Sequence, residues 1–367
     1  LFRREIPVRW ITWEITSACN SRCQLCDIWK QKPDPGILTL EQIKKAFSDP
    51  LFKHLECVLL TGGEPALRDD LLDIILLIHQ KLPKIRFTLS TNATLPEKVL
   101  KVVLGALENG VEIDVGVSVD GVGEHHDRIR GVKGNFDKAD HLIDELLKLK
   151  EKYEDNLFVV AGLTLHPLTI DYVGETEDYA NKKGVHFIVQ LYDEAPYYHN
   201  VGKTGAGEGM ESERTKMLDA IERLRPSFHN YLVAKILKEK MIDFDCYAMR
   251  SFFILRSNGD VMPCLRLCDV RIGNVKEETP AEIWGNKEAE EGRKTARVCR
   301  GCVNTWATDW SVNNNALPFV GLAIKFITKR LTVNGGDETK PDFKIMVFFL
   351  VMSLFAIFIF VKEILLK

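Results

Sequence analysis

Nowhere in its 367 residues does the chain carry a long basic stripe, and its formal net charge is −3. With no run of cations to neutralise phosphates, nothing in the charge pattern points to nucleic acid. The N-terminus, Leu-Phe-Arg-Arg-Glu-Ile-Pro, lacks the apolar core of a secretory signal, so an extracellular disulfide framework has no support there. The first residue is not Met, and a fragment or processed form is expected. Gly202-Lys203-Thr204 resembles the end of a phosphate-binding loop but lacks the preceding strand and the upstream glycine. Cysteine is absent from Val303–Lys367 and, Cys57 apart, from the long tract between Cys26 and Cys246. The other eight of the nine cysteines therefore fall into two groups, whose close spacings fit metal ligands in a reducing compartment better than disulfides.

What is present is an ordinary globular balance, 46% hydrophobic and 28% charged, long enough for one large domain plus a smaller one. From residue 10 to about 191, short β-rich apolar runs alternate with helical patterns, the mark of β-α units with a parallel sheet. The strands read as Trp10–Thr16, Cys57–Thr61, Ile85–Thr91, Ile113–Val119, Phe158–Leu165 and Val185–Leu191. Helices are expected near 39–48, 69–82, 96–109, 136–152 and 170–183, the second and third starting at Asp69 and Pro96. Six units are too few for a closed eight-unit barrel, so the fold class is α/β with a partial (β/α)6 barrel.

The barrel is assigned residues 1–199, followed by a linker and helical region at 200–245 that opens on the flexible composition of 200–209. A small cysteine-bearing domain at 246–312 contains a β-hairpin: Phe252–Leu255, the turn Ser257-Asn258-Gly259-Asp260, then Val261–Met262. Residues 313–342 read as an amphipathic or linker segment, and 343–366 as a transmembrane helix. Ile345–Val361 has only Ser353 polar, long enough to span a bilayer. Lys325, Lys329, Arg330, Lys340 and Lys344 precede it and only Lys362 and Lys367 follow. That asymmetry places the large domain in the cytoplasm, on a membrane, behind a single C-terminal span.

In parallel β/α folds the working residues lie on loops at the carboxyl ends of strands. Cys19-Asn-Ser-Arg-Cys23-Gln-Leu-Cys26 follows the first strand, Thr61-Gly62-Gly63-Glu64-Pro65 the second, Ser90-Thr91-Asn92 the third and Ser118-Val119-Asp120-Gly121 the fourth. All fall on one rim. A C-x3-C-x2-C trio with no fourth cysteine nearby offers three thiolates to an iron-sulfur cluster and leaves one iron open; alone, it is also half of a zinc site.

The trio, the Gly-Gly-Glu-Pro loop one strand later and the six-unit order resemble the radical S-adenosylmethionine (radical SAM) enzymes over roughly residues 10–305. The resemblance implies that Cys19, Cys23 and Cys26 hold a 4Fe-4S cluster whose open iron binds S-adenosylmethionine (SAM). Reductive cleavage then gives methionine and a 5′-deoxyadenosyl radical that takes hydrogen from an unactivated C–H bond. Gly62, Gly63, Glu64 and Pro65 are expected to receive the methionine amino group, Ser90 and Asn92 the carboxylate or ribose, Ser118 and Asp120 the ribose or nearby polar atoms, and Arg130 the methionine carboxylate. Leu25 stands where the family often has an aromatic residue, so Trp29 or the rim at Val189–Tyr192 is expected to complete the adenine surface.

Cys246, Cys264, Cys299 and Cys302 resemble the auxiliary-cluster domain called twitch, the short form of SPASM. They are expected to bind a fully ligated auxiliary 4Fe-4S cluster that accepts an electron, with structural zinc the alternative; Cys268 is surplus. His166 after the fifth strand and Tyr192, Asp193, Glu194, Tyr197 and Tyr198 after the sixth are expected to face the substrate entry, with His166, Tyr192 and Glu194 the catalytic candidates, while His125 and His126 read as solvated. The expected function is a membrane-anchored oxidoreductase or maturase performing net oxidation or bond formation on a peptide, a lipid or a small carbinol. It would draw electrons from a flavodoxin or ferredoxin. The rival is a non-catalytic iron-sulfur scaffold or electron relay that binds a membrane partner.

Overall fold

Six apolar stretches alternate with segments long enough to carry the chain back across a sheet, so they pair in parallel. The computed structural model describes residues 6–202, 206–239, 245–300, 302–305, 307, 308 and 311. The first half runs β1 (Trp10–Thr16), α1 (Leu40–Phe47), β2 (Cys57–Gly62), α2 (Leu71–Lys81), β3 (Arg86–Thr91), α3 (Pro96–Glu108), β4 (Glu112–Ser118), α4 (Glu124–Arg130), α5 (Asn135–Tyr153), β5 (Leu157–Leu165), α6 (Val173–Lys183) and β6 (His186–Leu191). There follow α7 (Ala206–Arg223), α8 (Phe228–Glu239), β7 (Phe252–Leu255), β8 (Asp260–Met262), β9 (Gly273–Asn274), α9 (Pro280–Gly285) and α10 (Lys287–Val298).

Strand order is β6-β5-β4-β3-β2-β1-β7-β8-β9. The six expected strands are all present within about a residue or two, and the sheet is open, as a partial barrel requires. The hairpin expected in the small cysteine-bearing region is β7 and β8, and β7 pairs in parallel with β1, Trp10 opposite Phe252 through Trp13 opposite Leu255, so the hairpin extends the barrel sheet. Pairing satisfies the row of β1 backbone groups that an edge would leave open.

Period-two alternation sorts the side chains. Ile11, Trp13, Val58, Leu60, Phe87, Leu89, Val115 and Phe253 belong to the main core under the helices. Their neighbours Trp10, Thr12, Leu59, Thr61, Ser90 and Phe252 face a cavity on the other side of the sheet. Each fully buried large apolar side chain contributes about 1.5–3 kcal/mol. An aromatic series, Trp13, Phe47, Phe52, Phe253 and Trp284, with centroids 5.3–6.2 Å apart, carries the core from β1 past α1 to β7 and α9. The helices begin on local signals. Thr39 and Gln42 cap α1 reciprocally, and α2 starts at Leu71 behind Asp70 rather than at Asp69.

The described residues at the two ends of the expected 200–209 linker differ from it. Asn200 is 1% exposed, and α7 starts at Ala206. The short polar helix α4 lacked a long apolar repeat and was not anticipated. No helix among the described residues is long and apolar enough to cross a membrane. The expected span, 343–366, and the segment 313–342 lie outside the described residues.

Candidate active site

The cysteine loop leaves β1 and is stitched to the end of α4, where Arg22 and Gln24 donate their N–H groups to the carbonyls of Arg130 (3.1 Å) and Ile129 (2.9 Å). None of the three cysteines is disulfide-bonded, and all are half-buried on the wall of a cavity of about 480 Å³. Each sulfur has a donor nearby: Asn92 Nδ2 at 3.9 Å from Cys19, Arg130 Nη1 at 4.0 Å from Cys23, and the Ile28 N–H at 3.5 Å from Cys26. Burial pushes the Cys19 thiol up to about 11 and Cys23 upward too. Half-buried thiols on the wall of one cavity, each near a donor that steadies sulfur charge, fit a cationic metal cluster.

The loop after β2 closes against this one. Gly63 N–H donates to Thr16 O and Glu64 N–H to Ala18 O, both at 2.8 Å. The Glu64 carboxylate, 1% exposed, accepts from Ala66 N–H (3.1 Å), Thr91 Oγ1 (2.9 Å) and Asn92 N–H (2.7 Å). It thus braces β2 against β3, and burial pushes its pKa up against those donors.

The expected cofactor residues Gly62, Gly63, Glu64, Ser90, Asn92, Ser118, Asp120 and Arg130 all line the cavity; Pro65 starts a buried turn beside it. Several have local duties that sequence did not show. Asn92 Nδ2 donates to Asn20 Oδ1 at 3.0 Å, and its Oδ1 accepts from Thr94. Asp120 Oδ1 accepts from Thr164 N–H at 2.8 Å, and Oδ2 pairs with Arg130 Nη2 at 2.8 Å. Arg130 is thus held between Asp120 and Cys23, its Nε buried and without a partner. Leu25 packs with Ile129 and Tyr192, so Tyr192 supplies the aromatic surface there; Trp29 bonds Cys26 O and does not line the cavity.

Cys246, Cys264, Cys299 and Cys302 line the same cavity as the trio. Burial is the largest cause that pushes Cys246 and Cys264 up to about 11 and Cys302 to about 12, and each also feels its neighbouring thiols. Among the described residues no three His, Cys, Asp or Glu side chains are gathered as ligands of a single ion are. A four-iron cluster takes its thiolates at separate irons and asks for no such convergence. Cys268 does not line the cavity; its thiol feels Asp269, Arg256 and Glu14 instead.

A sequence model of the radical SAM superfamily matches residues 13–180, and one of the SPASM iron-sulfur cluster-binding domain matches 246–303. The chain carries a radical SAM domain and a SPASM domain. Its SPASM region follows the barrel, and the cofactors of this pair of domains are a 4Fe-4S cluster, SAM and an auxiliary cluster. Sporulation killing factor maturation protein SkfB of Bacillus subtilis (strain 168) is 24% identical over 301 residues, 79% of this chain and 68% of that protein. Antilisterial bacteriocin subtilosin biosynthesis protein AlbA of the same strain is 26% identical over 285 residues, 75% of this chain and 59% of that protein. Among solved structures, anSMEcpe with bound AdoMet and the Cp18Cys peptide superposes with TM-score 0.58 at 21% identity, covering 80% of this chain and 84% of that one. At that identity the likeness shows the fold.

Of the catalytic candidates in this radical SAM chain, Tyr192 lines the cavity, whereas His166 and Glu194 do not. His166 is buried, accepts Leu168 N–H on Nδ1 and stacks edge-on against Tyr192 at 4.6 Å. Asp193, Gln190, Asn200 and Arg266 do line the cavity. Asn200, placed in a linker by composition, donates to Leu25 O, Tyr192 Oη and Asp193 O, each at 3.1 Å, and so ties the cysteine loop to the segment after β6. No local signal marks an asparagine for that role.

His126 was read as solvated but is fully buried, with Nδ1 accepting the Asp120 N–H at 3.1 Å. Burial, helped by the Arg130 cation, lowers its pKa to about 3. The unfolded imidazole, near 6.5, takes up a proton that the folded one refuses. The contribution is therefore full above about 6.5 and is lost as pH falls, at about 1.4 kcal/mol per unit, levelling off near 3. His126→Asn, which keeps an acceptor for Asp120, should flatten the fall in urea-unfolding free energy between pH 6.5 and 5; an unchanged slope would refute the assignment.

Proposed function

We propose that this radical SAM protein is an enzyme that takes hydrogen from an unactivated C–H bond of a peptide and passes an electron to the SPASM-region cluster. Net oxidation or bond formation follows. The observation that carries this reading is that both cysteine sets line one cavity, so a molecule held there lies close to the source of hydrogen abstraction and to an electron acceptor. When bound and reduced, the trio's cluster supplies the electron that splits SAM into methionine and a 5′-deoxyadenosyl radical.

The protein's own residues position and shield. Asn92, Arg130 and the Ile28 amide orient the three sulfurs. Glu64 locks the glycine loop to β3, where glycine lets the backbone approach the bound methionine closely. Ser90 and Ser118 line the same wall and are assigned to the ribose and carboxylate. Leu25 and Tyr192 exclude water from the adenine side. The names of SkfB and AlbA, a maturation protein and a bacteriocin biosynthesis protein, support a peptide over a lipid or a carbinol.

Anaerobically reconstituted protein, reduced by dithionite or by a flavodoxin or ferredoxin system, should release 5′-deoxyadenosine from SAM. Failure to release any with full iron content would favour the scaffold reading. We also assign Ile345–Val361 as a membrane anchor on sequence grounds. The releasing activity should then pellet with membranes and survive a carbonate wash; a soluble full-length chain would refute the anchor.

A further inference from the structure

Asp193 lies two residues beyond the end of β6, on the cavity wall, with its residue 5% exposed and its side chain 3%. Arg266, from the turn after β8, brings Nε to 3.3 Å from Asp193 Oδ1. That contact offsets charge, but neither carboxylate oxygen has a partner in hydrogen-bond geometry. Nearby donors are spent elsewhere: the Asn200 amide goes to Leu25 O, Tyr192 Oη and Asp193's own carbonyl. An ionised carboxylate is an acceptor with about four lone-pair sites, and buried acceptors are almost always satisfied. Here the unmet oxygens belong to a buried side chain on the wall of a cavity that also carries both cysteine sets.

We propose that Asp193 is the anchoring acceptor for the substrate and takes a neutral N–H donor, a backbone amide of a peptide. Neutrality follows from Arg266: a substrate ammonium would be a second cation against a carboxylate already compensated. An amide follows from the pairing of an acceptor on the barrel with a guanidinium, a donor-only group, on the SPASM region. A secondary amide carries a donor and an acceptor on separate atoms and fits both, whereas a hydroxyl presents them on one. Asp193 is thus a binding residue that fixes which C–H bond lies in reach, and the assignment rests on the radical-enzyme reading.

The test uses holoenzyme, SAM, reductant and two probes. One is N-acetyl-alanine N′-methylamide deuterated on the alanyl α and β carbons; the other is the same compound with both amide nitrogens methylated. The readout is the deuterated fraction of the 5′-deoxyadenosine formed. Wild-type protein should transfer about tenfold more deuterium from the N–H probe, the change one charge-assisted hydrogen bond supplies. Asp193→Leu, close in shape and without an acceptor, should bring the ratio to unity, and Asp193→Asn should give an intermediate value. The wild-type comparison stands even if a variant does not fold. Equal transfer from both probes, or none from either while 5′-deoxyadenosine forms, overturns the proposal. Absence of 5′-deoxyadenosine in wild type sinks the radical-enzyme reading, and this inference with it.

Discussion

Gly63→Ala is expected to abolish iron binding by the trio, and with it all release of 5′-deoxyadenosine. A Cβ on Gly63 would stand 1.9 Å from Ala18 O, 2.3 Å from Ala18 C and 2.9 Å from Cys19 N. All three are backbone atoms of the segment that enters the cysteine loop, so no side chain can swing aside. The alanine would break the Gly63–Thr16 and Glu64–Ala18 hydrogen bonds and displace Cys19, and a cluster needs all three thiolates. After anaerobic reconstitution, iron per chain should fall to about half of wild type, the remainder belonging to the second four-cysteine set. Gly116→Ala is the control: its nearest contact, Leu89 O at 3.9 Å, is ordinary van der Waals distance. Full iron in Gly63→Ala, or equal loss in Gly116→Ala, would overturn the account.

Glu64→Ala should cost the next largest amount, about 3 kcal/mol of unfolding free energy, because it strands two backbone N–H groups and one hydroxyl in a buried site. Relief from burying the carboxylate keeps the loss below a simple sum over three donors. Glu64→Gln separates the contributions. Oε1 serves Ala66 and Thr91, while Oε2 serves the Asn92 N–H. A glutamine oxygen can retain the first pair, but its NH2 then confronts the Asn92 N–H, so the loss should be intermediate. Urea unfolding measures both. A glutamine variant as unstable as alanine would mean that charge matters more than acceptor geometry.

Sequence reached the barrel because its signals are local. Trp10–Thr16 alternates at period two from Ile11 onward, and the structure returns those residues as β1. The trio and the glycine loop each lie within a few residues of a strand end, so their placement on one rim followed from strand order. His126 was missed because a polar pair in a loop-like stretch looks solvated until Asp120 and Arg130 close over it. Asp120 and Asn92 were legible as rim residues, but their bonds to Thr164 and Asn20 were not.

Sequence by itself determined the parallel β/α order, the three-thiolate trio and the four-cysteine set, because spacing and periodicity act over a few residues. Tertiary structure decided that β7 extends the sheet beside β1, that both cysteine sets share one cavity, and that Asp193 is buried there with its oxygens unmet. Those outcomes join residues as distant as Trp10 and Phe252. Such pairings rest on which edges, charges and apolar faces are left after local structure has formed, and no local pattern encodes that remainder.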